Sequence, residues 1–234
     1  MWRQATECSF KAGGIDNLCR RQNSRIPGFL VTSARPRVLI LGDRVYQQPA
    51  RDAAKEQKGR VEVVCATIQP GEIRHTQHAI ANLDTLRGEG NWDLIHFNFG
   101  LGDLPQMKAF RVMSREMGGV RTTSPQRYER NLHTLVERLK ATDAKLVWAS
   151  TTPIRHSSSN VFEMGSEIKF NAIAARVMAA QKVPTNDMYS FVRDLIDMKR
   201  PASHGADPFF FDRKPLHPPI VQVILRELLS APAD

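Results

Sequence analysis

The 234-residue sequence contains no long hydrophobic run. No stretch approaches the roughly 18 consecutive apolar residues of a membrane-spanning helix. Met1 to Leu18 also lacks the apolar centre of a signal peptide, because Glu7, Lys11 and Asp16 interrupt it. The default expectation is therefore cytoplasmic, with export expected only if the true start lies elsewhere. Cysteine is scarce. Cys8, Cys19 and Cys65 are scattered without a CxxC pair, which excludes a disulfide framework or a zinc ribbon. No HExxH or HxH pair occurs, and His75 and His78 stand three apart without a local third ligand, so neither a metal nor a cofactor is expected. The absence of GxxxxGK[ST] and of GxGxxG after the first strand argues against a nucleotide-binding P-loop or a dinucleotide fold.

The composition that remains is globular, with 41% apolar and 24% charged residues. The formal charge is +9. Such a balance raises nucleic acid or an acidic ligand as a partner. Residues 1–36 hold six basic and two acidic residues, so the remainder of the chain is only modestly basic. Its Lys and Arg are interleaved with acids, as in Arg127-Tyr-Glu129-Arg130 and Glu137-Arg138-Leu-Lys140, the pattern of solvated helices rather than a nucleic-acid surface. Residues 1–35 lack periodicity and read as a poorly ordered basic leader, with one domain over 36–234. Oligomeric state has no sequence signature here.

Order begins at Arg37. Val38-Leu-Ile-Leu41 is a continuous apolar run closed by Gly42-Asp43, as expected for a strand buried on both faces. Further strands are expected at 61–65, 93–98, 144–149 and 183–186. Helices are expected over 48–58, 75–86, 125–139, 163–181 and 189–198, and from Pro218. Ser124-Pro125 supplies an N-cap and a first-turn proline, and Tyr128, Leu132, Leu135, Val136 and Leu139 form one face. Ile168, Ala172, Ala175 and Met178 are expected to face inward on the next helix. For the last helix, Ile220, Val223, Ile224 and Leu228 are expected to do so. Alternating strands and helices predict one five-stranded parallel sheet in an α/β/α sandwich, with chemistry at the C-terminal strand ends.

Those strand ends resemble the SGNH (GDSL-type) hydrolase superfamily over residues 37–229. Arg37-Val-Leu-Ile-Leu-Gly-Asp43 resembles its first block. Trp92-Asp-Leu-Ile-His-Phe-Asn-Phe-Gly-Leu-Gly-Asp103 resembles the third block, and Trp148-Ala-Ser-Thr-Thr-Pro153 the exit of the fourth strand. His217, before the last helix, stands where the family keeps its catalytic histidine. The resemblance implies a flavodoxin-like fold and ester hydrolysis by a serine, a histidine and an aspartate, with an oxyanion hole built from backbone and side-chain amides.

Gly42, Asp43, Gly100, Asp103 and His217 carry over. The nucleophile position, however, is Arg44, and a guanidinium is not a nucleophile. The block-three asparagine position is Gly102, with Asn98 four residues earlier as an alternative amide donor. Gly71 and Arg74 are both candidates for the block-two glycine region. The aspartate expected three residues before the histidine is replaced by Lys214, leaving Asp212 as the candidate partner. Each residue also has a plainer reading. Arg44 could lock its loop, Arg74 could be a solvated helix-start residue, and Asp43 and Asp103 could cap nearby amides. The His156-Ser-Ser-Ser159 segment could be only a turn, and Phe209-Phe-Phe211 either a rim or loop packing. Two functions follow. One is hydrolysis of a small ester or acetylated carbohydrate by His217, Asp212, Asp43 and a substitute nucleophile. The other is a catalytically inactive binding protein that grips an anionic ligand through Arg44 and Arg74.

Overall fold

A computed structural model describes residues 35–69, 72–107, 118–199, 211 and 214–229. The leader expected over 1–35 lies almost entirely outside them. Five strands form one parallel sheet: β1 (Arg37–Leu41), β2 (Glu62–Cys65), β3 (Leu94–Phe97), β6 (Lys145–Ala149) and β7 (Thr185–Asn186), in the order β2-β1-β3-β6-β7. The order reverses beside β1, so right-handed crossovers put helices on both faces. On one face α1 (Gln47–Glu56) packs against β2 and α7 (Pro218–Ile224). On the other, α2 (Thr76–Ala81), α4 (Pro125–Lys140) and α5 (Ser166–Ala180) pack in a row, and α3 (Leu83–Arg87) lies against β1. Helix α6 (Met188–Leu195) follows β7. In chain order it precedes α7, and its N-cap Asp187 accepts from the Ser190 amide. Val38, Leu39, Ile40 and Leu41 are all buried, as a central parallel strand requires.

Helix α4 begins as its sequence dictates: Ser124 accepts from the Arg127 amide, and Pro125 opens the first turn. All five residues of its expected apolar face are buried. Helix α5 differs from expectation. Its buried row is Phe170, Ala174, Val177 and Met178, while Ile168 is 54% exposed. Phe170 sets this phase by packing on Tyr128 with ring centroids 4.6 Å apart. The helix expected over 75–86 is two short ones, broken at Asn82, whose φ of −119° leaves the helical region. The fifth strand shrinks to two residues. A small antiparallel pair, β4 (Gln106–Met107) with β5 (Val120–Arg121), has no counterpart in the sequence reading. On the last helix Ile220, Val221, Val223 and Ile224 are buried, and Leu228 only partly so.

Candidate functional site

The C-terminal ends of β1, β2, β3 and β6 meet, and the segments leaving them are knitted together by buried polar side chains. Gly42 ends β1 at a point of close approach. A Cβ there would stand 2.8 Å from the Tyr46 ring and 3.2 Å from the Asn98 carbonyl. Asp43 then caps a 3-10 turn (Arg44–Tyr46) by accepting from the Val45 amide at 3.2 Å. Its other oxygen, Oδ2, is buried without a hydrogen-bond partner. Burial pushes the Asp43 carboxyl up to about 7; the Val45 amide opposes this, the Asp103 charge reinforces it, and the Arg74 guanidinium and the Leu101 amide oppose it.

Asp103 closes a 3-10 turn after β3 and is fully buried. Its carboxylate accepts from the Thr76 amide at 2.9 and 3.1 Å and from the Thr76 hydroxyl at 2.7 Å. Burial raises it to about 6, against the lowering effect of hydrogen bonds from Thr76 and Thr123. Asn98 donates through Nδ2 to the Ala149 carbonyl at 2.8 Å and to the Thr151 hydroxyl at 3.2 Å. Gly100 is required by this contact, since a Cβ on it would lie 1.8 Å from Thr151 Oγ1.

Arg74 is neither solvated nor directed outward. It is 2% exposed. Nε donates to Glu72 at 2.6 Å, Nη1 to the carbonyls of Gly42 and Ala66 at 3.3 and 3.1 Å, and Nη2 to the Thr67 carbonyl. One guanidinium thus ties the exits of β1 and β2 together. Its backbone also occupies the ground beside Gly102. A Cβ at Gly102 would sit 2.1 Å from the Arg74 carbonyl oxygen and 2.6 Å from its carbon. No side chain fits there without moving backbone.

Arg44 is exposed at the start of the turn, one residue beyond Asp43. His217 is not brought to it. The His217 Nε2 lies 3.2 Å from Glu56 Oε2, and Glu56 is the last residue of α1. Arg44 precedes the first turn of that helix, and ten helical residues span about 15 Å. His217 therefore pairs with the far end of the helix that Arg44 leads into. Its Nδ1 is buried and unpartnered. Gly71 and Asp212 lie outside the described residues, as do Phe209 and Phe210. Phe211 is buried, with the Arg155 guanidinium 6.0 Å from its ring centre. The His156 segment is a 3-10 turn over His156–Ser158.

Several members of this network were missed from the sequence. Thr76 and Thr123 carry no motif, and Glu72 could have been found only by asking what neutralises Arg74. His96, in the middle of β3, is buried against Asn186 Nδ2 at 3.0 Å, and burial lowers it to about 4, so it is neutral. Among the described residues no group of three or more His, Cys, Asp or Glu side chains has the arrangement of a metal site. No helix of the described residues is long and apolar enough to cross a membrane.

No family model and no curated relative matches the chain. Solved structures do. A lipase/acylhydrolase from Enterococcus faecalis superposes with a TM-score of 0.61 at 16% identity, covering 86% of this chain and all of its own. The acetylxylan esterase Axe2 from Geobacillus stearothermophilus gives 0.57 at 11% identity, over 82% of this chain and 93% of its own. A protein assigned to the lipolytic G-D-S-L family from Desulfitobacterium hafniense gives 0.56 at 9% identity, over 81% and 99%. The sheet order, the strand-exit Gly-Asp segments and these superpositions agree: the chain has the fold of the SGNH (GDSL-type) hydrolases.

Proposed function

We propose that the chain is a non-hydrolysing protein on the SGNH fold, which binds a small carbohydrate-like or ester-like ligand at its strand exits without cleaving it. Arg44 meets an anionic group of that ligand. One observation carries the reading: the two positions that would supply the nucleophile and the oxyanion amide are Arg44 and Gly102, and backbone fills the space beside Gly102. Acyl transfer needs a nucleophile, a base within hydrogen-bond reach and donors aimed at the developing oxyanion. Arg44 provides a cation instead. The pairing of His217 with Glu56 supports the same reading, because an imidazole held there cannot serve as base beside Arg44. Arg74 drops out as a ligand contact, since its donors already face Glu72 and three backbone carbonyls.

The competing reading, hydrolysis with a substitute nucleophile, is tested alongside. Hydrolysis of a short-chain aryl ester is measured for the wild type, Arg44→Ser and His217→Ala. Binding of acidic and neutral xylo-oligosaccharides is measured by calorimetry. The expected result is no hydrolysis above buffer in any variant, and a preference for the acidic oligosaccharide that Arg44→Ser removes. Wild-type hydrolysis lost in His217→Ala would establish the enzyme instead.

A further inference from the structure

Helices α2 and α3 have only six and five residues, and β2 is an edge strand of its sheet. Together they leave part of the sheet face over β1 and β2 open. A cavity of about 460 Å3 lies there, with Leu39, Val64, Leu86 and Trp92 as its apolar walls and Arg37 and Arg87 as its cationic ones. Glu89 also borders it. The volume is in the range that encloses a small organic ligand. Asp43, Arg44, Asn98, Asp103 and His217 do not line it, so the groove is separate from the strand-exit site.

The two arginines differ. The Arg37 guanidinium lies 4.2 Å from the centre of the Trp92 ring, with Nε on Glu62 at 3.1 Å and Nη1 on the Asn91 carbonyl at 3.1 Å. It is matched, and it fixes the indole. Arg87 ends α3, and its carbonyl accepts from Trp92 Nε1 at 3.2 Å. Its side-chain Nε is buried and has no hydrogen-bond partner. A buried donor on a cationic group without an acceptor is costly, and an anionic oxygen is the acceptor that best removes the cost. An indole held edge-on by Arg87 and covered by Arg37 adds a rigid apolar wall.

We infer that this groove binds a small amphipathic anion, an aromatic or aliphatic body bearing one carboxylate or phosphate. The body packs on Trp92 and Leu86, and the acid group accepts from Arg87. The test follows the Trp92 indole N–H of the full chain by NMR, assigned with Trp92→Phe. The probes are 4-phenylbutyrate, phenyl phosphate and the neutral 4-phenylbutanol. At least one anion is expected to shift the signal saturably, and the tighter of the two identifies the acid group. The alcohol should bind about tenfold more weakly. Arg87→Gln should weaken the anion by about tenfold and leave the alcohol unchanged. Thr85→Trp, an exposed position on the groove wall, should block every probe by filling the space. The inference is overturned by the absence of a saturable Trp92 shift with either anion, by an equal response to the alcohol, or by anion binding indifferent to Arg87→Gln. Anion binding lost in Arg44→Ser but kept in Arg87→Gln would assign it to the strand-exit site and overturn the inference equally.

Discussion

Asp43 and Asp103 leave adjacent strands at the same end of the sheet, and both are buried, yet they are satisfied differently. Asp103 has its oxygens filled by the Thr76 amide and hydroxyl, with Thr123 contributing as well. Asp43 accepts from the Val45 amide, with the Leu101 amide contributing weakly, and its Oδ2 lacks a full hydrogen bond. The β3 exit is therefore a finished brace that joins the start of α2 to the sheet. The β1 exit is less completely satisfied, because Asp43 Oδ2 is buried without a full hydrogen bond. At both exits the Gly-Asp segment serves as a joint, and the two joints differ in how fully the carboxylate is satisfied.

Breaking the joint between the β1 and β2 exits should cost the most. Arg74→Met removes every donor that links Gly42, Ala66 and Thr67, and takes from the Glu72 carboxylate its closest cation, leaving it the Gln69 amide and His78. A loss of about 3–5 kcal/mol is expected in urea unfolding, with Arg74→Lys recovering little of it. A loss below about 1 kcal/mol would show that Arg74 does not staple the exits. Gly102→Ala comes next. The added methyl meets the Arg74 backbone, so a loss of about 3 kcal/mol is expected from chain displacement, measurable as a lower urea midpoint. The family-like Gly102→Asn should be worse still.

The comparison itself is sharpened by replacing each carboxylate. Asp103→Ala leaves the buried Thr76 amide without an acceptor and should cost about 2–3 kcal/mol. Asp43→Asn keeps the cap on Val45 and should cost less than about 1 kcal/mol at pH 5. The two also differ with pH. The native value of Asp43, about 7, lies above its ordinary value of 3.8. Between those limits the folded chain holds a proton that the unfolded chain has lost, so stability falls as pH rises from about 4 to about 7 and levels off above. Asp43→Asn should flatten most of that decline and so become relatively more stable than the wild type above pH 7. The Asp103 contribution, which ends at about 6, should remain. An unchanged pH profile would mean that Asp43 is ionised in the fold. The smallest effect belongs to His217→Ala. Its partner Glu56 is half-exposed, and the pair should contribute under about 1 kcal/mol in thermal unfolding.

The layers of the fold were legible in the sequence because continuous apolar strands and the Ser124-Pro125 helix start are local signals. The phase of α5 was not, because four similar apolar residues fit either row and only the packing of Phe170 on Tyr128 chooses between them. The strand-exit positions of Gly42, Asp43, Gly100 and Asp103 followed from the motif order. The burial of Arg74 did not, since an arginine in a loop looks the same whether solvent or four oxygens surround it. The same holds for His217. Its place before a helix was readable, but its height relative to α1 depends on how α7 packs, and no local pattern encodes that.

We propose that no serine of this chain is activated for acyl transfer. Intact-mass spectrometry after incubation with a fluorophosphonate tests it most directly, because that reagent phosphonylates an activated serine irreversibly and needs no knowledge of the natural ligand. An unchanged mass is expected for the wild type, and also for Arg44→Ser, because a hydroxyl at position 44 does not bring His217 to it. A stoichiometric adduct on a single serine of the wild type would contradict the proposal.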